Sequence, residues 1–256
     1  MLEFVDTHCH IQFADYKLDP EVVISEALDG GVTRIICVGC SLSDSKQGIE
    51  LANRHKSIWA SIGIHPHEAK QYVNNQKALQ ELRSLADKPR VVAIGEIGLD
   101  YFYNYSNPTD QKMLFRYQLN LAHEFNLPVI LHIRDAFDDF FTIYDEFSNL
   151  KAVVHSFTAS EEVLNKLVER GLYIGLNGIM TFTKDQKQLE MAKKVPINRL
   201  ILETDAPFLT PVPYRGTICQ PKHVVNTAEF LAKLRNTTLK ELSLATTQNA
   251  IKLFNL

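Results

Sequence analysis

The chain has 256 residues, 45% hydrophobic and 22% charged, an ordinary globular composition long enough to bury a core without disulfide staples. A net charge of −3 excludes a protein that coats duplex DNA by neutralising many phosphates, though not one that works at a strand end. Four cysteines make no disulfide framework, no apolar run nears the roughly 20 residues of a membrane span, and the first four residues lack the basic start of an export signal, so a reduced, cytoplasmic protein is expected.

Apolar, β-rich runs recur along the chain at 2–6, 33–38, 58–64, 91–95, 128–131, 152–154, 172–176 and 200–202. Several are continuously apolar, such as Val91-Val92-Ala93-Ile94, the pattern of strands covered on both faces. Helical spacing fills the intervals. One helix is expected over 76–86, closed before Pro89. Leu114, Tyr117, Leu121 and Phe125 mark the next, which Asn126-Leu127-Pro128 ends. Val163, Leu164, Leu167 and Val168 share a face, with Ser160 as cap and Glu161 and Glu162 in the first turn. Beyond Pro221 come the last helices, with Thr238 capping Leu239–Phe254. Eight strands alternating with helices, without a linker, predict an α/β fold: a (β/α)8 TIM-type barrel over 1–256 as a single domain, in preference to a doubly wound open sheet.

Such barrels carry their active site where strands give way to loops. His8 and His10 follow the first run, His65 and His67 the third, Glu96 the fourth, His132 the fifth, His155 the sixth and Asp205 the eighth. His55, His123 and His223 lie elsewhere. One histidine after a strand is usually plain loop polarity, but this many strand ends carrying histidine or acid point to metal ligation. In extended chain His8 and His10 point to one face, while Cys9 points away and packs. Glu96 is bracketed by glycines, where a ligand can approach the backbone closely.

The candidate ligands are therefore His8, His10, Glu96, His132, His155 and Asp205. Six exceed what one tetrahedral ion needs, so two divalent ions sharing a carboxylate are expected. Imidazole with carboxylate suits Zn²⁺, Mn²⁺ or Fe²⁺, and the carboxylates also admit Mg²⁺. Asp205 can also take a proton from water. The Cys37-Val38-Gly39-Cys40 pair lacks the setting of a redox or zinc motif and reads as coincidence. Arg134, Arg215 and Lys222 are cations near the expected active face.

At these residues the sequence resembles the TatD family of metal-dependent deoxyribonucleases, within the amidohydrolase-like barrels. The likeness runs through Asp-Thr-His-Cys-His at 6–10, Gly-Ile-His-Pro-His at 63–67, Gly-Glu-Ile-Gly-Leu-Asp-Tyr at 95–101, Gln-Leu-Asn-Leu-Ala at 118–122, Pro-Val-Ile-Leu-His-Ile-Arg-Asp-Ala at 128–136, His-Ser-Phe at 155–157 and Glu-Thr-Asp-Ala-Pro-Phe-Leu at 203–209. The resemblance implies one ion on His8, His10 and Asp205 and another on His132 and His155, with Glu96 bridging and Mg²⁺ or Mn²⁺ supporting activity. It implies that Glu96 and Asp205 serve catalysis and that His65 and Arg134 hold the substrate phosphate. Two departures stand out. The family loop Arg-Gly-Lys-x-Asn-Glu-Pro reads Arg-Gly-Thr-Ile-Cys-Gln-Pro at 215–221, and the serine often found after the strand-eight Asp is Ala206.

The expected activity is hydrolysis of DNA phosphodiester bonds by an exonuclease at single-stranded ends. An ester or amide hydrolase such as a D-aminoacyl-tRNA deacylase, and a non-catalytic binding barrel, are the alternatives. The mild acidity of the chain predicts a short footprint and shallow salt dependence. No membrane and no obligate protein partner are expected.

Overall fold

The computed structural model describes residues 2–103 and 105–256. Its strands are β1 Phe4–Cys9, β2 Val32–Val38, β3 Ile58–Ile62, β4 Val91–Asp100, β5 Val129–Arg134, β6 Ala152–Val154, β7 Tyr173–Leu176 and β8 Leu200–Leu202. They alternate with helices and follow one another in the sheet in sequence order, the (β/α)8 TIM-type arrangement expected above.

Backbone packing divides the chain into two compact units. The first holds the residues up to Cys37 together with His155–Leu256. There β1 pairs with β2 and β7 with β8, both in parallel, and a parallel bridge between Cys9 and Ala206 joins β1 to the turn after β8. Ile35, Ile36, Ile174, Leu200 and Ile201 are fully buried. The second unit is Val38–Val154, where β3, β4, β5 and β6 pair in parallel over buried Ile58, Ile62, Ile94, Val129 and Ile130. Strands this apolar are covered on both faces. Each fully buried Ile, Leu or Val contributes about 1.5–3 kcal/mol.

The helices form where their caps predict. Ser160 accepts from the Val163 N–H at the head of Glu161–Glu169. Thr238 and Glu241 make a reciprocal capping box on Leu239–Phe254. Asn126, in the left-handed region at φ 52°, ends Pro108–Phe125. The helix expected over 76–86 spans Gln76–Leu85.

Three strands outrun their apolar runs. β1 continues through His8 to Cys9, β4 through Glu96 to Asp100 and β5 through His132 to Arg134. His8, Glu96 and His132 therefore lie within strands, not after them. Pairing persists because Gly98 stays opposite His132 and Asp100 opposite Arg134. Hydropathy reports burial rather than pairing, so a polar strand end reads as loop. Register shifts interrupt β1 between Asp6 and Cys9 and β4 between Ile94 and Ile97. They bracket His8 and Glu96, and such bulges re-aim side chains. The glycines beside Glu96 serve this packing. A Cβ on Gly98, at φ +148°, would overlap the His132 carbonyl oxygen, and one on Gly95 would strike the Ile130 side chain.

Candidate metal-binding clusters

In the first unit the turn after β8 builds the site. Asp205 sits at φ 63°, a left-handed conformation that Asp tolerates better than most residues. Its N–H donates to the His8 carbonyl at 2.8 Å. Its Oδ1 stands 3.6 Å from His8 Nε2 and 3.4 Å from His10 Nε2, and those two nitrogens are 3.2 Å apart. His155 stacks on His8 with centroids 3.9 Å apart. One ligand atom each from His8, His155 and Asp205 fall within 4.8 Å of one another. Burial would raise the Asp205 carboxyl, but the hydrogen bond with His10 and the charges of His155, His8 and His10 outweigh it and hold the group below its ordinary value.

Two acids stand behind this cluster. Glu203 Oε1 accepts from His155 Nδ1 at 3.2 Å, from the Ser156 N–H at 2.7 Å and from the Asn177 side-chain amide at 3.3 Å. With its Nδ1 proton given to Glu203, His155 offers Nε2 to a metal. Asp6 is fully buried and accepts from the Thr204 N–H at 2.9 Å and hydroxyl at 2.6 Å, which ties the end of β8 to β1. Burial pushes its carboxyl up to about 8 despite those hydrogen bonds.

In the second unit His132 stands between two carboxylates. Its Nδ1 is 3.0 Å from Glu96 Oε1 and its Nε2 2.8 Å from Asp100 Oδ2. His67 Nε2 reaches the same Asp100 oxygen at 3.0 Å. Asp100 is fully buried, and that alone would raise its carboxyl. Hydrogen bonds from His132, His67 and the Tyr103 N–H reverse this and hold it far below the usual carboxylate range. His65 Nε2 lies 3.7 Å from Glu96 Oε1, and its Nδ1 accepts from the His67 N–H at 3.2 Å. Burial, reinforced by the nearby His132, keeps the His65 ring well below its ordinary pKa and therefore neutral. Ligand atoms of His65, His67 and His132 also fall within 4.8 Å of one another.

The structure thus gathers His8, His10, His155 and Asp205 in one unit, and His65, Glu96 and His132 in the other. Arg134 ends β5, exposed, with its guanidinium 3.8 Å over the Phe102 ring. Grouped imidazole nitrogens and carboxylate oxygens are the donor chemistry that borderline divalent ions take, so the residues fit the ions expected of them. The sequence reading left Asp6, His67, Asp100 and Glu203 out of the site. A period of two would have found the acids: Asp6 precedes His8 by two, Asp100 follows Glu96 by four and Glu203 precedes Asp205 by two. None of the four cysteines is in a disulfide, and Cys9 is fully buried as expected. Lys222 pairs with Glu26 at 2.6 Å, and Arg215 donates to the Thr210 carbonyl at 2.8 Å over the Phe182 ring.

Comparison with known proteins follows the same lines. The model of a family described as TatD related DNase matches residues 5–255. An uncharacterized metal-dependent hydrolase of Bacillus subtilis, YabD, is 38% identical over 98% of both chains. The 3′-5′ ssDNA/RNA exonuclease TatD of Shigella flexneri is 34% identical, again over 98% of both. The crystal structure of YjjV, a TatD homologue from Escherichia coli, superposes with a TM-score of 0.91 at 30% identity, covering 99% of this chain and 98% of that one.

Proposed function

The chain belongs to the family of TatD related DNases, and from that premise we propose that it is a metal-dependent hydrolase that trims single-stranded nucleic-acid ends at their phosphodiester bonds. The proposed ligands are His8, His10, Glu96, His132, His155 and Asp205, holding two divalent ions within one catalytic domain. The observation that carries the proposal is the placement of His132 between Glu96 and Asp100, one carboxylate on each ring nitrogen. A histidine kept for packing needs no such pair. A ligand histidine has one nitrogen for the ion and the other oriented by an acid, as Glu203 also orients His155.

When bound, the ions would polarise the phosphoryl group and lower the pKa of the attacking water. Asp205, kept ionised, accepts that water's proton. His65 is neutral, and its Nδ1 already accepts from the His67 N–H, so Nε2 carries the proton and donates to a phosphate oxygen. Arg134 adds a planar, permanently charged fork for a second phosphate oxygen. Attack at phosphorus expels the sugar oxygen and shortens the strand. Among the described residues no helix is long and apolar enough to cross a membrane. Cysteines outside any disulfide fit a reducing cytosol, where the proposal places the protein.

The test is to strip the protein of metal, restore Mg²⁺, Mn²⁺ or Zn²⁺ singly, and resolve the products from end-labelled single-stranded DNA, single-stranded RNA, closed circular duplex and a D-aminoacyl ester. Stepwise shortening of the single strands, with little nicking of the circle, is expected. Affinity should fall by about 0.7 log units per log unit of salt for each of roughly two or three phosphates contacted. Ester hydrolysis without any cut strand would replace the proposal with an acyl-ester hydrolase.

A further inference from the structure

The loop after β4 exposes three large aromatic side chains: Phe102 at 53%, Tyr103 at 39% and Tyr105 at 56%. Neighbouring rings left in water mark a surface that something covers. These rings pack on one another. Tyr103 and Tyr105 stack 14° from parallel with centroids 5.5 Å apart, and Phe102 meets Tyr103 edge-on at 4.8 Å. The Arg134 guanidinium lies 3.8 Å from the Phe102 ring centre and 4.9 Å from that of Tyr103. The backbone beneath is pinned. Asp100 accepts from the N–H groups of Phe102 at 3.0 Å and Tyr103 at 2.9 Å. The buried Gln111 amide donates to the carbonyls of Asp100 at 2.9 Å and Ser106 at 2.8 Å, so one side chain holds both ends of the loop. A surface fixed in advance loses little entropy when it binds.

The platform borders the imidazole cluster of its own unit. Asp100, which pins the loop, is also the acceptor for His67 and His132. The His67 ring makes edge contacts with Tyr103 at 5.5 Å and Tyr105 at 4.9 Å. Flat apolar faces with a guanidinium beside them, next to a candidate phosphodiester-cleaving centre, suit the face of a nucleobase. We infer that Phe102, Tyr103 and Tyr105, with Arg134, form a stacking subsite for an unpaired nucleobase adjoining the bond to be cut. A base inside a duplex is already stacked on its neighbours and offers no free face. The subsite therefore selects single strands and frayed ends with little regard to sequence. This inference rests on the proposed nuclease activity and adds to it the group that is gripped.

Its test compares wild type with Tyr105→Ala, Tyr105→Trp and Phe102→Leu on an eight-residue thymidine strand and on strands with one base replaced by an abasic sugar. KM is read from cleavage, and binding from fluorescence anisotropy of the labelled strand on metal-stripped protein. Tyr105→Ala and Phe102→Leu should each raise KM about 5- to 100-fold with kcat nearly unchanged, and Tyr105→Trp should restore it. At one position the abasic sugar should weaken wild type by a similar factor yet leave Tyr105→Ala no weaker than before. Unchanged KM in the variants, or an equal loss on ordinary and abasic strands, overturns the subsite. If wild type cuts no strand at all, the activity proposal fails separately, and equal anisotropy for wild type and Tyr105→Ala then removes the subsite too.

Discussion

Asp100 accepts from His132 Nε2 at 2.8 Å, so the second unit orients this imidazole from the side away from Glu96. The same carboxylate anchors the loop that bears the exposed aromatics. One buried acid thereby couples the ligand geometry to the platform beside it.

Asp100→Asn keeps an oxygen for the loop amides but gives up the charge that faces His67 and His132. Metal affinity should fall about 10- to 100-fold, the usual cost of losing an orienting acid. Calorimetric titration of stripped protein with Mn²⁺ or Zn²⁺ checks this. Affinity equal to wild type would reduce Asp100 to a loop anchor.

Asp205→Asn removes the proposed proton acceptor while preserving shape. Turnover should drop by at least about 100-fold, the size of a general-base contribution. Metal content is to be measured in the same preparation, and near-normal turnover with metal bound refutes the role.

Arg134→Lys retains the charge but not the plane that lies over Phe102. We expect KM for single strands to rise at least about fivefold, because a point charge replaces neither the fork nor the stack. Metal content should not change. Full function in the lysine variant would make Arg134 an ordinary surface cation.

Gly98→Ala places a Cβ on the His132 carbonyl oxygen at a φ of +148°. Both strain and overlap oppose it, and a loss above about 4 kcal/mol, or failure to fold, is expected. Thermal or urea unfolding that matches wild type would mean that β4 and β5 can separate at this point without cost.

His223 is an acid-sensitive group of the first unit. Burial, aided by Lys222, lowers its pKa to about 4, and its Nδ1 accepts from the Gln220 N–H. A depressed histidine favours the neutral form in the folded state. Its contribution is complete above the unfolded value near 6.5 and is lost as pH falls from there towards 4. The loss should be of the order of 1–2 kcal/mol. Urea midpoints measured across that window should fall more steeply for wild type than for His223→Gln, and parallel curves would discount the residue.

The order of strands and helices, the caps at Ser160 and Thr238, and the candidate ligands were all legible in the residues themselves. Each is carried by local chemistry: β-rich apolar runs, a hydroxyl before a helical face, imidazoles recurring where those runs end. What tertiary structure decided was pairing and aim. Gly95 and Gly98 read as room for a ligand, and the fold adds that β5 lies against β4 where their side chains would be. Asp6, Asp100 and Glu203 stood in the quoted motifs without a role of their own, and became the supports of Thr204, His132 and His155 only once residues distant in the chain were folded together. Phe102, Tyr103 and Tyr105 carry no periodic signal, and their exposure follows from a loop tied at both ends by Gln111. Hydropathy and spacing record what each residue prefers; which partner satisfies a buried carboxylate depends on contacts made across the sheet, and no local pattern encodes those.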